Sequence, residues 1–258
     1  AMIRRNAPVR LVKTIEALVC RCSYKVRGLD SLVHASSGVK QGGVLSPLLF
    51  NIYIDDIVNR LKVKKTGCYV NRQYSGIIMY ADDVVLVAPS AHGLSEMIST
   101  FSEFATAIDL RLNGSKSQYC VFGKQSLVQS SIKVADVNLS NCATINYLGI
   151  EIRSSCKFSC GIESKLKSFN RACNALLCRT GRAGLCPTSD APVIFSLFRI
   201  YCVPVIRYGL SAIYSCLSRR DKSRTKAAYN SIVRRILRMQ RNDEGPYDLF
   251  FGRHVLAE

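Results

Sequence analysis

The stretch GIIMYADDVVLVAP, residues 76–89, limits what this chain can fold into more than any other. Runs of Val, Ile, Leu and Tyr flank Asp82 and Asp83 on both sides. Such runs around a polar pair predict two short strands joined by a tight turn. Asp is at home in turns because its side chain bonds its own backbone two residues on, so a plain hairpin is the bland reading. The sharper reading is a cation site. A hairpin would hold Asp82 rigidly at the tip of buried strands, and hard cations such as Mg²⁺ bind through carboxylates together with substrate phosphates. Neighbouring motifs have to decide between the two.

Charge narrows the choice. The 258 residues are 48% apolar, enough for a sizeable core, and carry 36 Lys and Arg against 18 Asp and Glu. A net charge of +18 predicts a polyanionic partner, nucleic acid or an anionic membrane. Nine basic residues fall between Arg219 and Arg241, where Asp221 is the one acid. Solvated helix faces usually mix signs, so this run predicts a contact surface. The twelve Cys form no C-x-x-C pair, which argues against zinc, although Cys156, Cys160, Cys173, Cys178 and Cys186 cluster in sequence. Free thiols in a reducing compartment are the expectation, with no disulfide partner. No signal peptide is read at the start. The most apolar tract, 192–217, is interrupted by Arg199, Pro204 and Arg207 and predicts core helices, not a membrane span.

Pro8 fits the first turn of a helix with Leu11, Ile15, Leu18 and Val19 on one face. Residues 23–36 predict a hairpin around Gly28 and Asp30. In SGVKQGGVLSPLLFNIYIDDI, Gly42 and Gly43 suit a close-approach loop. Ser46 then Pro47 predicts an N-cap followed by Pro at the first helical position, with the helix running to about Leu61. Ser90 is expected to cap a helix that buries Leu94, Ile98, Phe101, Ala105 and Ile108. Short strands are expected near 118–122, 132–137 and 145–152, then helices beyond 160 with breaks near 181–190 and 218–221. Strands mixed with helices, then a basic helical segment, predict the α+β class.

Four motifs stand in order: SGVKQGGVLSPLLFN at 37–51, YADD at 80–83, LNGSK at 112–116 and YLG at 147–149. Together they resemble the palm of a reverse transcriptase, most closely that of non-LTR (LINE-type) retrotransposons. YCVPVIRYGLSAIY at 201–214 is similar to the segment beyond the palm in those elements. The resemblance implies a partial polymerase palm over residues 1–152, an antiparallel sheet with packed helices. A basic, mainly helical, thumb-like region over 153–258 would follow.

The implied activity is that of an RNA-directed DNA polymerase, with two-metal nucleotidyl transfer in the full-length parent. Asp82 is then the metal ligand and Asp83 a second carboxylate beside it. Lys116 is the cation at the leaving pyrophosphate. Gln41 and Gly42, with Tyr80 and Ala81, pack against template and incoming nucleotide. Tyr147, Leu148 and Gly149 resemble the primer grip. From charge, Arg219, Arg220, Arg234, Arg235 and Arg238 are candidates for the nucleic-acid backbone. The expected cofactor is Mg²⁺ or Mn²⁺, and the expected partners are RNA template, DNA primer and dNTP, all in the full-length parent. No membrane partner is expected, and the location is intracellular, cytoplasmic or nuclear. Asp55 and Asp56, a second Asp pair, read as exposed helix residues and not as ligands.

The resemblance also implies another metal-binding Asp, on a strand before the Gln41 loop. The acids before residue 40 are Glu16, mid-helix, and Asp30, in a predicted turn. The expectation is therefore a C-terminal fragment, without fingers or the first catalytic Asp motif, and inactive alone. One rival is a non-catalytic nucleic-acid-binding remnant that uses the basic region. Another is a group II intron or bacterial retroelement polymerase, which YADD fits as well. The 201–214 tract favours the LINE-type reading.

Overall fold

The computed structural model describes residues 2–20, 23–25, 28, 31–34, 38–123, 131–134, 136–156, 158–186 and 189–239. Helices are interleaved with small antiparallel sheets, the α+β class, and they pack as two compact units.

The first unit takes residues up to Ser117 together with 131–139. Helix α1 (Val9–Cys20) follows Pro8, whose carbonyl accepts from the Val12 N–H at 3.1 Å. Strands β1 (Ser23–Lys25) and β2 (Leu32–His34) pair antiparallel, with Gly28 between them at φ +95°; Asp30 lies outside the described residues. Then come α2 (Ser46–Ile54), α3 (Asp56–Val63), β3 (Tyr69–Val70), β4 (Gln73–Tyr74), β5 (Ile77–Tyr80), β6 (Asp83–Leu86) and α4 (Ala91–Ala107). The short strands β7 (Lys133–Val134) and β8 (Val137–Asn138) complete the unit.

Alternation along β5 and β6 puts Ile77, Met79, Val84 and Leu86 on one face. They pack on Ile57 and Leu61 of α3 and on Met97, Phe101, Phe104 and Ala105 of α4. The α4 residues recur at the spacing of one helical stripe. Ser90 caps α4 as expected, its Oγ accepting from the Gly93 N–H at 3.1 Å.

The single helix expected over 46–61 is two helices, broken at Asp55. Arg5 fixes the break: its guanidinium donates to Ile52 O at 3.1 Å, Asp55 Oδ2 at 2.9 Å and Asp56 Oδ1 at 3.1 Å. A cation beside the last carbonyls of a helix is favourable, so α2 ends there. Both Asp residues stay at the surface, as expected. Ser46 is not the N-cap; it opens α2 itself, and its hydroxyl donates to Lys40 O. The apolar face of α1 is largely open, with Leu18 60% exposed.

The second unit takes residues 118–123 and those from Ser140 on. Strands β9 (Thr144–Tyr147), β10 (Ile150–Arg153) and β11 (Ser159–Gly161) form one antiparallel sheet in the order β11-β10-β9. Helices α5 (Glu163–Arg182), α6 (Ala191–Tyr201), α7 (Val203–Arg207), α8 (Leu210–Ile213) and α9 (Arg219–Leu237) follow. Leu166, Phe169 and Cys173 of α5, Ile194 and Phe198 of α6, Ile206 of α7 and Tyr229, Val233 and Ile236 of α9 share one core. The Phe198 ring lies 6.2 Å from Phe169, 5.8 Å from Phe195 and 5.5 Å from Tyr229, centroid to centroid. Burial pushes the Tyr229 hydroxyl up to about 12. Asp221, the one acid of the basic run, belongs to the cap of α9: Ser218 Oγ accepts from the Asp221 N–H at 3.1 Å and donates to Asp221 Oδ2 at 2.8 Å.

Residues 191–216 have the length and apolarity of a membrane span. They are divided at Cys202 and at Gly209 (φ +66°), and Ile194, Phe198, Cys202, Ile206 and Leu210 are buried in the core. The strand expected at 118–122 is a single bridge between Tyr119 and Asn141, while β11 was not expected. The ten cysteines from Cys68 onward are free thiols. Packing groups β9–β11 with the helices that follow.

Candidate functional site

The register of β5 and β6 pairs Tyr80 with Asp83, which leaves Ala81 and Asp82 as a two-residue turn. Ala81 sits at φ +52°. A left-handed conformation at that place follows the twist of hairpin strands, at a cost to an L-residue of roughly 1–2 kcal/mol. Paired residues share a face. Ile77, Leu86, Met79 and Val84 turn to the core, so Ile78, Val85, Tyr80 and Asp83 turn away. That second face is open: Tyr80 is 65% and Ile78 51% exposed. Asp82 and Asp83 are exposed, and among the described residues no hydrogen bond or ion pair engages either carboxylate. The tip thus presents two adjacent, unengaged oxygen-donor groups.

The Gln41 loop is a tight turn closed by the Gly43 N–H donating to Lys40 O at 3.0 Å. Gly42 takes φ +74°, as a type II turn demands of its third residue. No atom of the chain itself lies within 4 Å of a Cβ placed on Gly42, so its surface is open on that side. Crowding falls one residue later. A Cβ on Gly43 would stand 2.6 Å from Ser46 Oγ and 3.1 Å from Lys40 O. Gln41 is exposed at the turn.

In LNGSK, Asn113 Oδ1 accepts from the Lys116 N–H at 3.2 Å and from Ser115 Oγ at 2.7 Å, closing the one-turn helix Gly114–Lys116. Gly114 is buried against β7–β8; a Cβ there would stand 2.8 Å from Val137 Cβ and 3.0 Å from Val134 O. The Lys116 side chain is exposed, and among the described residues its ammonium makes no ion pair. Asn113 and Gly114 position Lys116, and the motif alone gives them no role. The Asn was the available signal, because an Asn side chain often bonds backbone two or three residues on.

Tyr147 ends β9, and Leu148 and Gly149 form the turn into β10 at φ +48° and +73°. Two successive positive φ values mark a type I′ hairpin turn. This motif belongs to the second unit, whereas Gln41, Gly42, Tyr80–Asp83 and Lys116 all belong to the first.

On α9, Arg219, Arg220 and Arg235 are exposed, as is Arg238 just beyond it, and Arg234 is half-buried. Ser223, Lys226, Asn230, Arg234, Arg235 and Arg238 line an open concavity of about 940 Å³. The basic run is not uniformly available. Arg224 pairs with Glu163 Oε2 at 2.7 Å, and that guanidinium holds the Glu163 carboxyl below its ordinary range. Arg235 donates to Asn174 Oδ1 at 3.0 Å, and Lys222 stands 4.8 Å over the Tyr214 ring. Arg241 lies outside the described residues.

Set against known proteins, residues 7–152 match the family described as reverse transcriptase (RNA-dependent DNA polymerase). The chain is 29% identical over 150 residues to a retrovirus-related Pol polyprotein from a type-2 retrotransposable element of Drosophila melanogaster, covering 52% of this chain and 14% of that protein. It is 24% identical over 216 residues to the RNA-directed DNA polymerase from mobile element jockey of Drosophila funebris, covering 80% of this chain and 22% of that protein. A probable RNA-directed DNA polymerase from transposon BS of Drosophila melanogaster is 23% identical over 209 residues, again with 22% of its length covered. The chain thus spans less than a quarter of each of these relatives.

Proposed function

The chain belongs to the reverse transcriptase (RNA-dependent DNA polymerase) family, and from that premise we propose that it is the palm and following helical region of an RNA-directed DNA polymerase from a non-LTR retrotransposon. The tip of β5–β6 carries this reading: Asp82 and Asp83 are adjacent, exposed and unengaged beside an open strand face. Their oxygens are donors of the kind Mg²⁺ takes one or two of, while substrate phosphates fill further positions. Among the described residues no group of three His, Cys, Asp or Glu side chains gathers to hold a metal, so the fit is to part of a site. Bound divalent cations would supply charge stabilisation at the attacking and leaving oxygens.

In this reading Asp82 and Asp83 hold the metal, and Lys116 offers its charge to the leaving pyrophosphate. Gln41 and Gly42, with Tyr80 and Ala81, face template and nucleotide. Tyr147, Leu148 and Gly149 hold the primer. Residues 1–152 are palm and 153–258 thumb-like, with Arg219, Arg220, Arg234, Arg235 and Arg238 along the backbone of an RNA template and its DNA primer. The same reading assigns the protein to the cytoplasm or nucleus, where free thiols persist.

The test is dNTP incorporation on an RNA template by a polymerase polypeptide that carries this chain, wild type against Asp82→Asn. We expect a loss of about 10²-fold or more, the scale of removing one group that stabilises transition-state charge, with template–primer binding retained. Equal incorporation by the two would remove Asp82 from the chemistry.

A further inference from the structure

We infer that Tyr208 is a positioning residue that sets the Tyr147–Gly149 turn, and through it the 3′ end of a bound primer, on the reading above that this turn holds the primer. Leu148 and Gly149 bend β9 into β10 with both φ values positive, and the Tyr208 side chain, from the helical part of the second unit, lies against that turn. Tyr208 Oη donates to Leu148 O at 3.1 Å. Its ring lies flush on the next residue, because a Cβ on Gly149 would stand 3.2 Å from Tyr208 Cε1. The glycine is therefore required twice, by its φ and by the ring. Gly209 continues the contact: a Cβ there would meet the Ile150 side chain at 3.4 Å.

Tyr208 is itself held. Its N–H donates to Pro204 O at 3.0 Å at the end of α7. Its carbonyl accepts from Lys165 Nζ at 2.6 Å, and that ammonium lies 5.1 Å from the centre of the Tyr208 ring. Lys165 is next to Leu166, one of the buried residues of α5. A continuous path of contacts therefore runs from the core of α5 through Lys165 and Tyr208 to the carbonyl of Leu148. Tyr208 remains 60% exposed, so its job is not to fill the core. An exposed Tyr whose hydroxyl is aimed at a turn carbonyl restrains the turn without carrying the fold.

The experiment uses the full chain and an RNA template–DNA primer hybrid whose primer ends in a photoreactive thiothymidine. Total binding is read by anisotropy and the crosslinked residues by peptide mapping. Tyr208→Phe removes the hydrogen bond and keeps the ring, whereas Tyr208→Leu removes both. We expect crosslinking of the primer end to residues 147–149 to fall about threefold to tenfold in Tyr208→Phe, the span of one ordinary hydrogen bond, and further in Tyr208→Leu. Hybrid affinity and circular dichroism should be unchanged in Tyr208→Phe, which a purely structural role would not predict. Crosslinking at 147–149 that persists undiminished in both variants overturns the role of Tyr208 and leaves the turn as the primer site. A wild-type chain that fails to bind the hybrid, or binds it with no crosslink at 147–149, removes the primer reading and this inference together. Should Tyr208→Leu lose its fold, Tyr208→Phe alone decides.

Discussion

Replacing Ala81 by Gly at the hairpin tip should stabilise the strands on either side. At φ +52° an Ala residue bears the left-handed penalty, roughly 1–2 kcal/mol. Gly escapes that penalty but gives up more backbone freedom on folding, roughly 0.5–1 kcal/mol. The difference leaves Ala81→Gly more stable by about 0.5–1 kcal/mol. The hairpin is a two-stranded sheet whose inner face rests on α3 and α4, so the gain should appear as slower opening of β5 and β6. Native-state hydrogen exchange on peptides covering 77–86 should show protection raised about twofold to fivefold, at 1.4 kcal/mol per factor of ten. Ala81→Val, with a branched Cβ at the same φ, should lower protection. A drop in protection for Ala81→Gly would refute the reasoning, since it would mean that the tip does not hold residue 81 in the left-handed region.

Phe198→Ala should cost about 3–5 kcal/mol, because a fully buried ring is lost from between Phe169, Phe195 and Tyr229, and a urea titration of the second unit would read it. Glu163 has its pKa lowered by Arg224, so the pair's contribution is present above the ordinary Glu value of 4.5 and vanishes as pH falls through the lowered value. The urea midpoints of wild type and Glu163→Gln should therefore differ near neutrality and converge in acid. Replacing Arg234, Arg235 and Arg238 by Gln should flatten the salt dependence of RNA and DNA binding by about three units at most, and an unchanged slope with intact circular dichroism would take this face out of the contact surface. Calorimetry should find only weak Mg²⁺ binding in the absence of nucleotide, because a pair of carboxylates without substrate phosphates leaves the ion mostly hydrated; a tight site lost in Asp82→Ala would overturn that expectation.

What the sequence made legible was local. The YADD hairpin followed from apolar runs around a turn, and the cap at Ser90 from one hydroxyl before a periodic stripe. The division of α2 from α3 was out of reach, because it depends on Arg5 meeting Asp55 fifty positions away. The same holds for Arg224, which belongs to a basic run in sequence but to Glu163 in space. Strand β11 has the sequence Ser-Cys-Gly, which carries no strand preference; pairing with β10 makes it a strand. Gly42 and Gly43 were legible as loop glycines, Gly114 was not, and only the folded chain separates their reasons. Gly42 is needed for its φ, whereas Gly43 and Gly114 are needed for space. At the candidate site, the residue types and their order were readable, and Asn113 left a local signal, but the bond from Tyr208 to the Leu148 carbonyl, sixty positions away, shows only when the chain is folded.

Burial of Tyr229 also gives the molecule an optical signature. The chain has no Trp and twelve Tyr, so its near-ultraviolet absorbance is dominated by phenol rings. An ordinary tyrosine ionises near pH 10, roughly, while Tyr229 keeps its proton to about 12. The unfolded chain gives up that proton first, so the second unit is at full stability below the ordinary value and loses it as pH rises toward the higher one. Within that window the late-ionising phenolate appears when the core around α9 comes apart. An alkaline absorbance titration would thus read the more exposed tyrosines in its first phase and, in its later one, the phenols that burial holds back, Tyr74 of the first unit and Tyr229 of the second, with no label attached.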